Sequence, residues 1–257
     1  MKVRRQKLPV NIAVLLILFF LSMAGCARTP GESSAPETET DAGAPQEEVP
    51  VPDPVLRGTD VETPGEGCVF LELEGTFETP DPEKILARLN EIRLEACREG
   101  YMNPATGEPL TEADYVPLAW SADLEKTARL RAAEACVVED HMRPNGGDCF
   151  SVAFGGQQAN YETLAWGYAG ILESVEGWYS EKEAYTEETG GVASHYIALI
   201  TPGNRWVGAA AFAPADEMRT ACAAEFAMEP GPAQEQEEDP YGPCRQIIEV
   251  REELLSE

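Results

Sequence analysis

The chain has 257 residues, of which 46 are acidic and 19 are Lys or Arg, for a formal charge of −27 at neutral pH. A polyanion of this size is repelled by nucleic-acid phosphates and by anionic lipid headgroups. Nucleic acid is therefore excluded as a partner, and no basic patch is available to hold the chain to a membrane.

The chain opens MKVRRQKLPVNIAVLLILFFLSMAGC. A basic head (Lys2, Arg4, Arg5, Lys7) precedes an apolar run of about 14 residues, short of the roughly 20 that a membrane span needs. This is the layout of an export signal over residues 1–25. Its end, SMAGC, reads as a lipoprotein processing box in which Cys26 is lipidated and becomes the first mature residue, with Met23 where an aliphatic residue is more usual. The chain is then extracytoplasmic, and the lipid on Cys26 is its link to the membrane. Residues 26–66 follow, rich in Pro, Glu, Ser and Thr, and bury too little apolar surface to offset the entropy of ordering. They are expected to form an acidic disordered stalk.

The folded part is expected to begin with a strand at CVFLELEGTF. TPDPEKILARLNEIRLEACREG then carries helix signals at both ends, with Asp81 as N-cap, Pro82 in the first turn and Gly100 after the last. Ile85, Leu89, Ile92 and Ala96 share one face. After a turn-rich loop, Ser121 caps a second helix with a narrow stripe of Leu124, Ala128, Ala132 and Ala135; its small side chains predict close approach to a neighbour. His141 comes at or just past its end. RPNGGDC reads as a turn, and YETLAWGYAGILESVEGWYSEKEAY as a helical stretch whose aromatics are core or cleft wall. HYIALIT, RWVGAAAF and RTACAAEFAM are strand candidates. An acidic linker leads to CRQIIEVREELLSE, read as an amphipathic helix with Ile247, Val250 and Leu254 on one face. Helices followed by an antiparallel meander predict an α+β domain.

Removing the lipidated Cys26 leaves six cysteines: Cys68, Cys97, Cys136, Cys149, Cys222 and Cys244. An even number in an exported chain predicts disulfides, and six allow 15 pairings among which sequence does not choose. There is no CxxC, no HExxH, no phosphate-cradling glycine loop and no GxSxG. Ser194 directly precedes His195, but neighbours on a strand face opposite ways, so no nucleophile–base pair is expected there.

The chain spends only two histidines, His141 and His195. They fall in an ordered series: PLAWSADLEKTARLRAAEA, DHMRPNG, ANYETLAWG, GWYSEKEAY and SHYIALITPGNRWVGAAAF. Over about residues 80–228 this series resembles the CAP superfamily (cysteine-rich secretory, antigen 5 and pathogenesis-related-1 proteins) in its bacterial SCP-like extracellular form. The resemblance implies a three-layer α-β-α sandwich around an antiparallel sheet, with a CAP domain at 67–228 and a linker and helix at 229–257. It also implies an open cleft lined by two histidines and two acids, which by motif are His141, Glu162, Glu181 and His195. Tyr161 and Thr163 stand where the family has a glycine and an amide beside the first acid. Tyr161 cannot take a glycine-only conformation without cost, so a reshaped loop is expected around Glu162.

Two imidazoles and two carboxylates suit zinc or another divalent cation, bound by N and O donors. The implied function is a surface lipoprotein displaying a CAP domain that binds a small apolar molecule, a lipid or a protein, more an interaction module than an enzyme. The alternatives are a metal-dependent hydrolase acting on peptide or cell wall at the same cleft, and a structural protein whose cleft is vestigial.

Overall fold

The computed structural model describes residues 54–255 apart from 153, 155, 188–189 and 233–240. The expected export signal, Cys26, most of the stalk and the centre of the acidic linker lie outside the described residues. The described residues belong to one compact unit.

Strand β2 (Cys68–Phe77) and helix α1 (Pro82–Glu99) form where expected. Asp81 caps α1 by accepting from the Lys84 amide, and Gly100 closes it with a φ of 68°, in the left-handed region that glycine enters without a Cβ penalty. The short β3 (Ala119–Trp120) leads into α2 (Ala122–Val137), capped by Ser121 through the Leu124 amide. Then come β4 (Tyr161–Trp166), α3 (Ile171–Tyr179), α4 (Lys182–Thr186) and α5 (Ser194–Ile200). Strands β5 (Trp206–Pro214), β6 (Ala221–Ala227) and β7 (Gly242–Arg251) follow. Among the described residues the sheet has seven strands in the order β1-β7-β2-β5-β6-β4, with β1 at Val55–Arg57 and β3 paired to β5. The β1–β7 and β3–β5 pairs are parallel and the rest antiparallel.

Side-chain alternation along the central strands divides the interior into two cores. Val207, Ala209 and Ala211 of β5 and Cys222, Ala224 and Phe226 of β6 face a core built with α1, α3 and α5. Ala210, Phe212, Ala221 and Ala223 face the opposite way, against α2. This is the period of two that a sheet covered on both faces requires, and it yields the expected α-β-α sandwich. The alanines let α2 lie close to the sheet. Closest of all is Gly208, where a Cβ would stand 2.0 Å from the Glu125 amide nitrogen, inside the backbone of α2.

Three expectations about elements are corrected. HYIALI forms the short helix α5, with Tyr196, Ala198, Leu199 and Ile200 buried. A short apolar run carries too few residues for periodicity to separate strand from buried helix, and tertiary packing decides. Tyr161–Trp166 is the strand β4 and not the first turns of a helix, which begins only at Ile171. The C-terminal segment is the strand β7 with Cys244, Gln246, Ile248 and Val250 buried in alternation, followed by a single 3-10 turn. Its partner β2 runs beside it along ten residues, from Cys68↔Arg251 to Phe77↔Gly242. The sheet also recruits Val55–Arg57 from the segment expected to be stalk, so the folded unit draws on residues on both sides of 67–228.

The six described cysteines stand as free thiols, against the expectation of bridges. Cys97 and Cys222 line the core beneath α1 and α5, Cys136 and Cys244 the core beneath α2. An even count is no guide to whether two Cα atoms lie within the about 4.4–6.8 Å that a bridge demands.

Candidate functional site

The site forms at the outer strand of the sheet, β4, where the two helical layers meet. His141 arrives from the chain leaving α2 and His195 from the first turn of α5, and their ring centroids are 6.1 Å apart. The sequence-predicted quartet therefore assembles, as two histidine–carboxylate pairs. His141 Nδ1 lies 2.7 Å from Glu162 Oε1, and His195 Nδ1 lies 2.6 Å from Glu181 Oε1. A carboxylate accepts from Nδ1–H, so each pairing selects the tautomer that leaves the Nε2 lone pair for another partner.

The two carboxylates are held differently. Glu181 opens α4, and its Oε2 accepts from the backbone amides of His195 (2.9 Å) and Tyr196 (3.4 Å). It thus satisfies orphan donors at the start of α5 while it aligns the ring, with its negative charge at the positive end of the helix. Burial works against ionisation of Glu181, but the His195 ring and these amides hold its carboxyl below the usual carboxylate range. Trp178, buried on α3 with its indole donating to the Leu164 carbonyl, stands 6.5 Å from the His195 ring and backs it. At the other end of α5 the buried Arg93 of α1 donates to the carbonyls of Leu199, Thr201, Asn204 and Val116. Burial lowers its pKa to about 10.

Glu162 sits in β4 with the parity that faces α2, and the loop expected to be distorted by Tyr161 is a regular strand whose residues pair with β6. No glycine conformation is needed there, so tyrosine is accommodated. Arg131 of α2, fully buried, donates to Glu162 through Nε (2.6 Å) and Nη2 (3.2 Å), and to Glu134 through Nη1 (2.6 Å). Its Nη2 also donates to the His141 carbonyl at 3.1 Å. One guanidinium thus grips both the backbone of His141 and the carboxylate that orients its ring. Glu134 in turn accepts from Arg143, whose other donors form a bidentate pair with Asp60 at 2.7 and 2.9 Å.

Beside Glu162, directly opposite in the β4–β6 register, lies Glu225, fully buried. As a carboxylate it finds no donor among the described residues. Burial, reinforced by the Glu162 charge, holds its pKa well above the carboxylate range. For Glu162 itself burial is outweighed by His141 and Arg131, and its pKa is lowered. Cys149 completes the surroundings: it, His141 and Glu162 each bring one ligand-capable atom within 4.8 Å of the others.

Arg131, Glu134, Arg143, Glu225 and Cys149 were not expected at the site. Arg131 carried a signal, since it lies three residues beyond Ala128 on the face that the small-residue stripe assigns to the interior. Glu225 carried none beyond an acid in an otherwise apolar strand. The Ser194–His195 dipeptide lies in a helical turn, where neighbours diverge by about 100°, and His195 Nδ1 is occupied by Glu181.

Removing Arg131 would strand two buried carboxylates. Arg131→Met is expected to cost about 3–5 kcal/mol of stability in urea denaturation, and Arg131→Lys to recover only part, because one ammonium cannot reproduce the fork. The His141 pKa is raised, chiefly by its hydrogen bond to Glu162. The stabilisation from this charge pairing is therefore complete below the ordinary imidazole value of about 6.5 and is lost as pH rises through the raised folded value. An NMR titration of His141 should show its pKa above that of a free imidazole, and Glu162→Gln should lower it.

Residues 86–217, just over half of the chain, match the family described as the cysteine-rich secretory protein family, CAP. Among solved structures the chain is similar to hookworm platelet inhibitor at 16% identity, over 64% of this chain and 78% of that one, with a TM-score of 0.38. It is similar to Schistosoma mansoni venom allergen-like protein 4 at 17% identity, over 63% and 98%, with a TM-score of 0.41. A third likeness is to NaASP2, solved with Zn2+, at 18% identity over 59% and 84%, with a TM-score of 0.38. No curated protein matches closely enough to count as a relative. No helix among the described residues is long and apolar enough to cross a membrane. With its sandwich fold and the matched span, the chain belongs to the cysteine-rich secretory protein (CAP) family.

Proposed function

We propose that this protein is an extracytoplasmic binding module, anchored by a lipid on Cys26, whose histidine face holds a divalent cation and through it a ligand. The observation that carries the reading is the histidine pair itself. The two rings lie 6.1 Å apart, each with Nδ1 committed to a carboxylate and Nε2 left for coordination. On this reading His141 and His195 are the ligands, and Glu162 and Glu181 act as orienters one step behind them, an arrangement that raises ligand basicity. Glu162 suits that role because Arg131 already occupies both its oxygens. His141 is half exposed, so a bound ion would be open to solvent and to a further ligand. Such an ion would supply a Lewis-acidic anchor for an oxygen or nitrogen donor on that ligand.

Calorimetric titration of the metal-stripped protein with zinc tests the reading. Binding is expected at pH 7.5, abolished in the His141→Ala, His195→Ala double variant and weakened about 10–100-fold in Glu181→Gln, which removes the orienting charge while keeping an amide oxygen to cap α5. Equal heats from wild type and the double variant would end the metal reading and leave the module to bind its partner without a cation. The anchor is tested separately. Cys26→Ser should move the protein from the membrane fraction to the soluble fraction, and an unchanged distribution would refute lipidation.

A further inference from the structure

At the end of α2 opposite to His141, the chain forms a pocket of about 220 Å³. It is lined by Trp120 of β3, Asp123 in the first turn of α2, Trp206 at the start of β5 and the turn Pro230–Gly231–Pro232 after β6. The parallel pairing of β3 with β5 sets Ala119 against Trp206, which brings the two indoles to one pocket. Ser121 and Gln157 also line it, and they hold the separate pieces together. Ser121 Oγ donates to Gln157 Oε1 at 2.6 Å, and Gln157 Nε2 donates to the Glu229 carbonyl.

Asp123 is the group in this pocket whose bonding is incomplete. It is only 7% exposed, and its Oδ1 is buried with no hydrogen-bond donor among the described residues. Gly231 keeps the carboxyl at the pocket wall: a Cβ there would stand 2.7 Å from Asp123 Oδ2 and 2.5 Å from Gln157 Cβ. The dipole of α2 favours a negative charge in its first turn, but that field supplies no hydrogen bond to Oδ1. A buried carboxylate oxygen without a donor carries a desolvation cost that a positively charged donor removes. Among the described residues Asp123 is the one charged side chain lining the pocket, so its complement is a single positive charge. A hard divalent cation would need several more oxygens, and the Ser121 and Gln157 side chains are engaged with each other. Oδ1 calls for an N–H, which a quaternary ammonium lacks. The two indoles and two prolines offer apolar surface to a short alkyl chain. The volume lies below the roughly 300–1,000 Å³ of sites for drug-sized ligands, which suits a small molecule.

We propose that this pocket binds a small primary alkylammonium compound. Its ammonium group donates to Asp123 Oδ1, and its alkyl chain lies against Trp120, Trp206, Pro230 and Pro232. The site is separate from the histidine face and needs no metal.

The test is a titration of the metal-stripped full chain with n-butylammonium, followed by NMR of the four tryptophan indole N–H groups. The signals of Trp120 and Trp206 should shift and saturate, while those of Trp166 and Trp178 stay in place. Two further probes separate the contributions: n-butanol keeps the alkyl chain without the charge, and tetramethylammonium keeps the charge without an N–H. Each should bind at least about tenfold more weakly. Asp123→Asn preserves the size of the side chain and should weaken n-butylammonium by a similar factor. Equal binding of the three probes, or equal binding of n-butylammonium by wild type and a folded Asp123→Asn variant, overturns the proposal. So does a shift confined to Trp178, which backs His195 and would put the ligand at the histidine face. If Asp123→Asn does not fold, the three probes on the unmutated chain decide the matter alone.

Discussion

The buried guanidinium of Arg131 is the interaction on which the site depends. It joins three pieces of chain that local structure would leave independent: the third turn of α2, the outer strand β4 through Glu162, and the backbone of His141. A charge taken so far from water is tolerable only when its donors are nearly all used, and here they are shared among two carboxylates and two carbonyls. Such a network adds little to stability over a well-packed apolar alternative, but a partial version of it is worse than none. The physical consequence is an all-or-none placement: the carboxylate, the ring and the loop are positioned together.

His195 is placed by a different device. The helix α5 is too short to be stable by propensity, and it is held at both ends by residues of opposite charge. Glu181 accepts at its N-terminus and Arg93 donates at its C-terminal carbonyls, which matches the polarity of the helix dipole. The carboxylate that caps the helix also aligns the imidazole, so the residue that makes the helix possible also selects the histidine tautomer. Across the face, each imidazole has one nitrogen engaged by protein and one directed elsewhere, reached by two unrelated routes.

The acidity of the chain takes on a local meaning in this setting. Among the described residues Glu134, Glu162 and Glu225 are buried under α2, where Arg131 and Arg143 pair with the first two and burial holds the Glu225 pKa well above the carboxylate range. Room for that helix comes from the alanines of β5 and β6 and from Gly208, which lets the backbone of α2 descend onto the sheet. Small residues in the strands, close helix approach and a concentrated buried network are thus one arrangement.

Much of the molecule was legible in the sequence. Caps at Asp81 and Ser121, the apolar faces of α1 and α2, the apolar runs of β5 and β6 and the motif positions of His141, Glu162, Glu181 and His195 are local signals, written in residues close in the chain. The misread segments are those where local pattern is neutral. HYIALI, YETLAW and CRQIIEVRE are short apolar runs that suit helix or strand alike, and their state was set by what they pack against: α5 between its two charged clamps, β4 along β6, β7 between β1 and β2. The sequence by itself determined the fold class, the two histidines and the two acids. Only the tertiary structure decided that these acids bind ring nitrogens, that Arg131 and Glu225 lie beneath them, and that Cys149 is a thiol beside His141 and not half of a bridge. Hydrogen bonds and charge pairs join residues tens of positions apart, and their geometry exists only once two helical layers have closed on one sheet.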